Sequence, residues 1–431
     1  MTRIIRGHVV TPVAGGGDSL TEFPDGAVVT RDGVILAVGE FRDLRADHPD
    51  AAVDDHRGRL LVPGFVDCHV HYPQLGMIAS PGRELLGWLE DYTFPAELAF
   101  ADDGHCAAAA EEFCDHLVAN GVTTACVYAT VHPGSADALF RSAQRRGLRI
   151  LTGKVCMDCN APPGLLDTAE SAYADSRALL ERWHGVDRLE YVITPRFAPT
   201  SSEAQLSALG ALAAEFPDIA IQTHLSENQG ECSWVAELFP GDADYTAVYE
   251  RHGLVRRRSV FGHAIHLSDG ELSRLGAARA ALAHCPTSNG FLGSGLFDLA
   301  RARAVDGLHV GFGSDVGAGT SLSPLATMGE AYKVSRLSGA PLSTADAFRF
   351  TTIFAADALG LSDRVGSLEP GKDADVVVLD PLASPILRQR LDGGAGSEVG
   401  SPTTEEILFA MMTLGDDRCV ARTYVAATLA S

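Results

Sequence analysis

The apolar run Leu60-Leu61-Val62-Pro63-Gly64-Phe65-Val66 leads directly into Asp67-Cys68-His69-Val70-His71, and no other stretch constrains the fold as strongly. The run reads as a buried strand. Residues i and i+2 of a strand point to the same side, so His69 and His71 present two imidazoles to one spot at its end. Two neutral imidazoles on one face suit a divalent transition metal. Taken alone, the pair is equally well read as two polar residues leaving a strand. Three later stretches tip the balance. Ile219-Ala220-Ile221-Gln222-Thr223-His224 and Ser259-Val260-Phe261-Gly262-His263 are strand-like runs ending in His, and His309-Val310-Gly311-Phe312-Gly313-Ser314-Asp315 is one ending in Asp. One His at a strand end is more often structural, but this recurrence is not accidental. In a parallel α/β barrel such ends converge on one mouth, where active sites are built.

A coarse pass finds eight strand-like runs at barrel spacing: Gly64–His69, Val122–Tyr128, Ile150–Val155, Glu190–Thr194, Ile219–Thr223, Ser259–Gly262, Ala280–Ala283 and Val310–Ser314. Stretches rich in Ala, Leu and Glu separate them. Ala107–Asn120, Ala136–Arg146 and Ser171–Trp183 carry apolar residues at helical spacing. Thr200 with Glu203, and Ser268 with Glu271, have the capping-box pattern, and Gly121 and Gly147 follow helices as stops. The spacing predicts an α/β fold, a distorted (β/α)8 TIM-like barrel, with a small β-sandwich domain built from both chain ends. Residues 1–62 read as its N-terminal part, a small antiparallel sheet with a turn at Arg31-Asp32-Gly33. Residues 63–365 form the barrel, and 366–431 return to the small domain through Val376-Val377-Val378-Leu379 and Val420–Ala427. Leu391–Pro402, rich in Gly and Ser, reads as a mobile loop.

At 431 residues and 46% hydrophobic, the chain buries a large core, and no stretch is long and apolar enough for a bilayer. Met1–Arg6 leads into no apolar signal region, so a cytoplasmic protein is expected, without a membrane partner. The net charge of −22 argues against a nucleic-acid partner and leaves a small neutral substrate open. Nine Cys without disulfide-framework spacing read as reduced thiols. Cys156-Met157-Asp158-Cys159 has no second CxxC and reads as ordinary thiols near the barrel mouth. The H-x-E and P-C-x-x-C signature of the zinc deaminases that act on bases is absent.

Pro63-Gly64-Phe65-Val66-Asp67-Cys68-His69-Val70-His71 resembles the strand-one signature of the metal-dependent amidohydrolase superfamily, and Gly366–Leu379 resembles its return into the small domain. Tyr72-Pro73-Gln74, Met77-Ile78-Ala79-Ser80 and Trp88–Glu97 resemble the guanine deaminases within it. So do Thr194-Pro195-Arg196-Phe197-Ala198, Thr223-His224-Leu225-Ser226-Glu227-Asn228, His284-Cys285-Pro286-Thr287-Ser288-Asn289 and Gly313-Ser314-Asp315-Val316-Gly317-Ala318-Gly319. The resemblance spans nearly the whole barrel. It implies one zinc per chain held by His69, His71, His224 and Asp315, with iron able to substitute. It also implies a homodimer. His263 would orient the nucleophilic water, Asp315 would take its proton, and Glu227 would protonate a ring nitrogen as a carboxyl raised by an apolar pocket. Arg196 donates through a planar fork and suits a carbonyl acceptor, with a salt bridge to an acidic residue as the competing reading. Gln74 suits a ring edge, and Phe197 and Trp88 could wall an aromatic slot, although core packing explains Phe197 nearly as well.

The expected reaction is hydrolytic deamination of a nucleobase, guanine to xanthine and ammonia. An amidohydrolase acting on another amino-purine, a pyrimidine or a triazine would share the metal ligands and differ in the pocket. A non-catalytic scaffold of the same fold would lack the ligand set, which is complete here.

Overall fold

The computed structural model describes residues 2–13, 20–82, 84–392 and 402–430. The chain opens with β1 (Arg3–Thr11), β2 (Thr21–Arg31) and β3 (Val34–Glu40). Asp32 (φ 51°) and Gly33 (φ 83°) turn β2 into β3. Two successive positive-φ residues match the right-handed twist of a hairpin, and Asp and Gly tolerate that conformation best. The helix Phe41–Asp47 then carries the chain across to β4 (Ala52–Pro63). β1 is antiparallel to β2, and β2 to β3, but β4 runs parallel to β1. The expectation of a wholly antiparallel N-terminal sheet is corrected by that helix, which supplies the crossover that parallel pairing requires.

The apolar run 60–66 belongs to two strands rather than one. β4 ends at Pro63 and β5 (Phe65–His71) begins the barrel. Gly64 is the junction, where a Cβ would lie 2.1 Å from Thr123 Oγ1 and 2.9 Å from Asp375 Cβ. Its N–H donates to the Asp375 carbonyl. The barrel continues with β6 (Val122–Tyr128), β7 (Arg149–Gly153), the short β8 (Val155–Cys156), β9 (Glu190–Pro195), β10 (Ala220–Leu225), β11 (Ser259–His263), β12 (Ala281–His284) and β13 (His309–Phe312). Neighbours pair in parallel in the order β5-β6-β7-β9-β10-β11-β12-β13, with β8 extending alongside β9. The circle is nearly closed: the Asp315 N–H just beyond β13 donates to the His69 carbonyl at 2.8 Å. Both β5 and β6 are buried along their whole length, as strands covered on both faces must be.

After the barrel, β14 (Val376–Leu379) pairs antiparallel with β4, followed by β15 (Val420–Val425) and β16 (Thr428–Leu429). Both chain ends therefore build one seven-stranded sheet, separate from the barrel, in the order β16-β15-β14-β4-β1-β2-β3. Buried ion pairs tie it to the barrel: Arg149 Nη2 donates to Asp373 Oδ2 at 2.6 Å, and Arg188 pairs with Asp373 and Asp375. Ser268 and Glu271 form the expected capping box. The other expected start is displaced: Ser202, not Thr200, caps Glu203–Glu215, because the Thr200 hydroxyl donates to the Phe197 carbonyl. Gly147 is the left-handed stop of its helix. The stretch expected as a mobile loop lies outside the described residues from 393 to 401. No helix among the described residues is long and apolar enough to cross a membrane.

Gly64→Ala is expected to cost about 1–3 kcal/mol by overpacking the junction. Urea denaturation checks this as a lower midpoint at unchanged slope. An unchanged midpoint would show that the junction has room to spare.

Candidate active site

His69 and His71 leave β5 on the same side, with ring centroids 5.2 Å apart. The Tyr128 ring, from the end of β6, stacks on His71 at 4.5 Å and lies 4.7 Å from His69. The space for the His69 ring is made by glycines on two other strands. A Cβ at Gly262 would lie 2.5 Å from His69 Cε1, and one at Gly313 would lie 2.7 Å from His69 Cβ. Asp67 anchors this end of β5. Its Oδ1 accepts from the N–H groups of His69 and Ser314, each at 3.1 Å, and its Oδ2 from the Ser314 hydroxyl at 2.5 Å.

His224, His263 and Asp315 arrive from the ends of β10, β11 and β13. His263 and Asp315 have left-handed backbones, φ 66° and 50°, which swing their side chains over the barrel mouth. Asp315 Oδ1 is 3.3 Å from both His69 Nε2 and His71 Nε2, and His224 Nε2 is 3.2 Å from His71 Nε2. His224 Nδ1 donates to the Arg196 carbonyl at 2.7 Å, so its Nε2 faces inward. Burial lowers the imidazoles, His71 to about 3 and His224 well below the usual range, which keeps them neutral with lone pairs available. Despite its burial, Asp315 stays well below the usual carboxylate range because the His69 and His71 rings lie against its Oδ1.

This donor set fits a metal ion. His69 Nε2 is buried with no hydrogen-bond partner among the described residues, and so is His71 Nδ1. Donor atoms of His69, His71 and His224 lie within 4.8 Å of one another, as do those of His69, His263, Cys285 and Asp315. Three imidazoles and one carboxylate are borderline ligands of the zinc type. Cys285 was not foreseen. Its thiol donates to the Ala283 carbonyl, and burial pushes its pKa well up, so it stays a protonated neighbour. His263 Nδ1 donates to Asn289 Oδ1 at 2.8 Å, which leaves Nε2 as an acceptor turned toward Glu227 Oε2 (3.4 Å) and Asp315 Oδ2 (3.7 Å).

Glu227 follows β10 through Ser226, itself left-handed at φ 49°. Its backbone is held by the capping box of Gln229–Leu238, where Glu231 Oε2 accepts from the N–H groups of Glu227 and Asn228. Its side chain is buried, and the Ser294 hydroxyl donates to Oε1 at 3.1 Å. Burial first, and the Asp315 charge second, push its pKa up to about 8. Two carboxyls within one site are thereby driven apart, one ionised and one holding its proton.

A pocket enclosing about 400 Å³, counting the space at its mouth, opens onto this cluster. His71, His224, His263, Glu227 and Asp315 form one side, and Gln74, Trp88, Arg196 and Phe197 reach it from other segments. Leu85, Leu89, Leu292 and Ala318, to which the motifs assign no role, complete an apolar lining. Trp88 is anchored by its indole N–H to the Ser80 carbonyl, and Phe197 meets Trp234 edge-on. The structure thus brings every predicted site residue to one place. The two readings of Arg196 coexist: its Nη1 donates to both oxygens of Glu97 at 2.8 Å, and the side chain still lines the pocket. Asp67, Glu97, Tyr128, Asn289 and Ser294 are the supporting groups that the motifs left unassigned.

Gly262→Ala is expected to displace the His69 ring and weaken metal binding by about 10–100-fold, the scale for a ligand that loses its support. Chelator competition measures this; equal affinity in both proteins would show that the ring has slack.

A profile of the Amidohydrolase family matches residues 60–429, and one of an imidazolonepropionase-like composite domain of bacteria matches residues 26–51. The chain is 46% identical to a guanine deaminase of Escherichia coli (strain K12) over 402 residues, which is 93% of this chain and 90% of the relative. The solved structure of E. coli guanine deaminase superposes with a TM-score of 0.94 at 43% identity, covering 100% of this chain and 98% of that one. The guanine deaminase of C. acetobutylicum with guanine bound in its active site superposes at a TM-score of 0.88 and 28% identity over 100% of both chains. Matched along most of its length by the family profile and by such relatives, the chain belongs to the amidohydrolase family, among its guanine deaminases.

Proposed function

We propose that the protein hydrolyses guanine to xanthine and ammonia, with one zinc ion held by His69, His71, His224 and Asp315. The observation that carries this reading is the placement of Glu227, a buried carboxyl, beside the imidazole–carboxylate cluster on the wall of a pocket edged by the donors Arg196 and Gln74. The relatives' activity and the guanine bound by the C. acetobutylicum enzyme agree with it.

When bound, the ion supplies a water that gives up a proton near neutral pH, its pKa falling from about 15.7 to about 7. The residues do the rest. His263 Nε2 would accept a hydrogen bond from the attacking water and orient it. Asp315 Oδ2, the oxygen turned away from His69 and His71, would take its proton. Glu227 gives its own proton to the ring nitrogen beside the amine-bearing carbon as the water oxygen adds there. The carbon–nitrogen bond to the amine then breaks, the proton held by Asp315 leaves with ammonia, and the added hydroxyl returns its proton to Glu227 as it becomes the carbonyl of the product. Arg196 donates to the carbonyl at the six position and Gln74 to the neighbouring edge. Phe197, Trp88 and the three leucines keep bulk water out of the slot.

Glu227→Gln keeps the shape of the side chain and removes the transferable proton. Retained zinc with kcat lower by at least ~10²-fold is expected. Near-normal turnover would remove Glu227 from this role.

The substrate is tested by ammonia release from guanine, adenine, cytosine, guanosine and an amino-triazine at equal concentration. Guanine should lead by a wide margin. Adenine offers an amine where Arg196 needs an acceptor, and a buried donor left unmatched costs about 1–3 kcal/mol, more when charged. A site built on such contacts discriminates by ~10⁴-fold or more. A faster rate on adenine or the triazine would overturn the substrate and leave the family standing.

A further inference from the structure

Glu97 lies in the short helix Phe94–Leu98, is fully buried, and is not among the residues lining the pocket. It stands directly behind two that are. Both its oxygens accept from Arg196 Nη1 at 2.8 Å, and Oε1 also lies 3.5 Å from Gln74 Nε2. The Gln74 amide is held from its other end, since Oε1 accepts from the Gly317 N–H at 3.1 Å. Its NH2 group therefore points toward Glu97 and the pocket, so Gln74 faces a ligand as a donor. Arg196 uses only Nη1 on Glu97. Its Nε and Nη2 make no hydrogen bond to other described residues, and its guanidinium lies over the Phe94 ring at 5.7 Å.

Two physical consequences follow. A buried guanidinium without a counter-charge is strongly unfavourable and would recruit an anion. With Glu97 behind it the pair is neutral, so the free donors of Arg196 face the pocket without a surplus charge. A planar fork held on one nitrogen also has its remaining donors aimed, which lowers the ordering cost of binding.

We propose that Glu97 is a positioning residue that holds Arg196 and Gln74 as one charge-neutral row of donors, and so restricts the pocket to uncharged heterocycles presenting acceptors along one edge. The proposal rests on the reading of the pocket as a purine site and adds the group that sets its charge preference.

The test compares the zinc-loaded wild type with Glu97→Gln. For guanine, KM is expected to rise by about 10–100-fold, the scale of a disordered buried donor pair. Because the reacting groups are untouched, kcat should stay within about threefold. Inhibition by hypoxanthine, a neutral purine without the amine, should weaken. Inhibition by urate, an anion at neutral pH with a carbonyl at the same six position, should strengthen relative to it, because Arg196 regains an uncompensated charge. The double variant Glu97→Gln/Arg196→Met has no buried unpaired ion and should lose the urate preference, which keeps the test open if Glu97→Gln alone folds poorly. An unchanged KM, a loss carried by kcat alone, or an unchanged urate-to-hypoxanthine ratio overturns the proposal. Failure of the substrate reading looks different: a wild type inert toward guanine. In that case the calorimetric preference between hypoxanthine and urate, which needs no turnover, decides the role of Glu97.

Discussion

The Asp67 carboxylate holds the first and last barrel strands in one frame, and the site depends on that clasp. It accepts from the His69 N–H on one side and from the N–H and hydroxyl of Ser314 on the other, across 247 residues of chain. His69 and Asp315, two members of the candidate metal cluster, are the clasped residue and the neighbour of the clasped residue. Burial pushes the Asp67 pKa up to about 6, and the three hydrogen bonds oppose that rise. A group so buried is tolerated only because its acceptor capacity is largely used. The Asp315 N–H bond to the His69 carbonyl then places the Asp315 carboxylate against both imidazoles of β5.

From this frame the electrostatics of the pocket follow in sequence. The imidazoles are driven neutral by burial, which leaves them lone-pair donors rather than cations. Asp315 is kept ionised by the two imidazoles that lie against its Oδ1. That negative charge, added to burial, lifts Glu227 up to about 8. One carboxyl is thus ionised while a second holds its proton at the same pH, with no difference in chemical type between them. The far wall is held differently: Glu97 matches the buried charge of Arg196 with an opposite one.

The sequence carried most of this through periodicity and spacing. Strand ends bearing His69, His71, His224, His263 and Asp315 were legible because a parallel barrel brings all C-terminal strand ends together. The supporting partners were not, because a buried polar side chain does not announce what it binds. Glu97 meets Arg196 from 99 residues away, and Ser294 meets Glu227 from 67. Local misreadings have local causes. Pro63 and Gly64 sit inside an apolar run that hydropathy alone cannot divide. Thr200 matches a capping pattern, but its hydroxyl is already committed to Phe197, and Ser202 takes over. The parallel β1–β4 pairing depends on a seven-residue helix too short to show a helical period.

The same residues that build the site also store cost in the fold. Ser226, His263, Ala264 and Asp315 all occupy left-handed backbone conformations without being glycine. Each such position costs of order 1–3 kcal/mol and persists only where its surroundings over-determine it. Three strand ends here do so through backbone hydrogen bonds that converge on the strained residues: Ala264 N–H to the Leu225 carbonyl, Ile265 N–H to Ser226, and Asp315 N–H to His69. A relaxed, extended backbone at His263 or Asp315 would carry the side chain along its strand and away from the mouth. The strain is therefore the geometric condition for gathering side chains from β5, β10, β11 and β13 over one point. It is sustained by the buried barrel strands beneath, which gain nothing from the site they support.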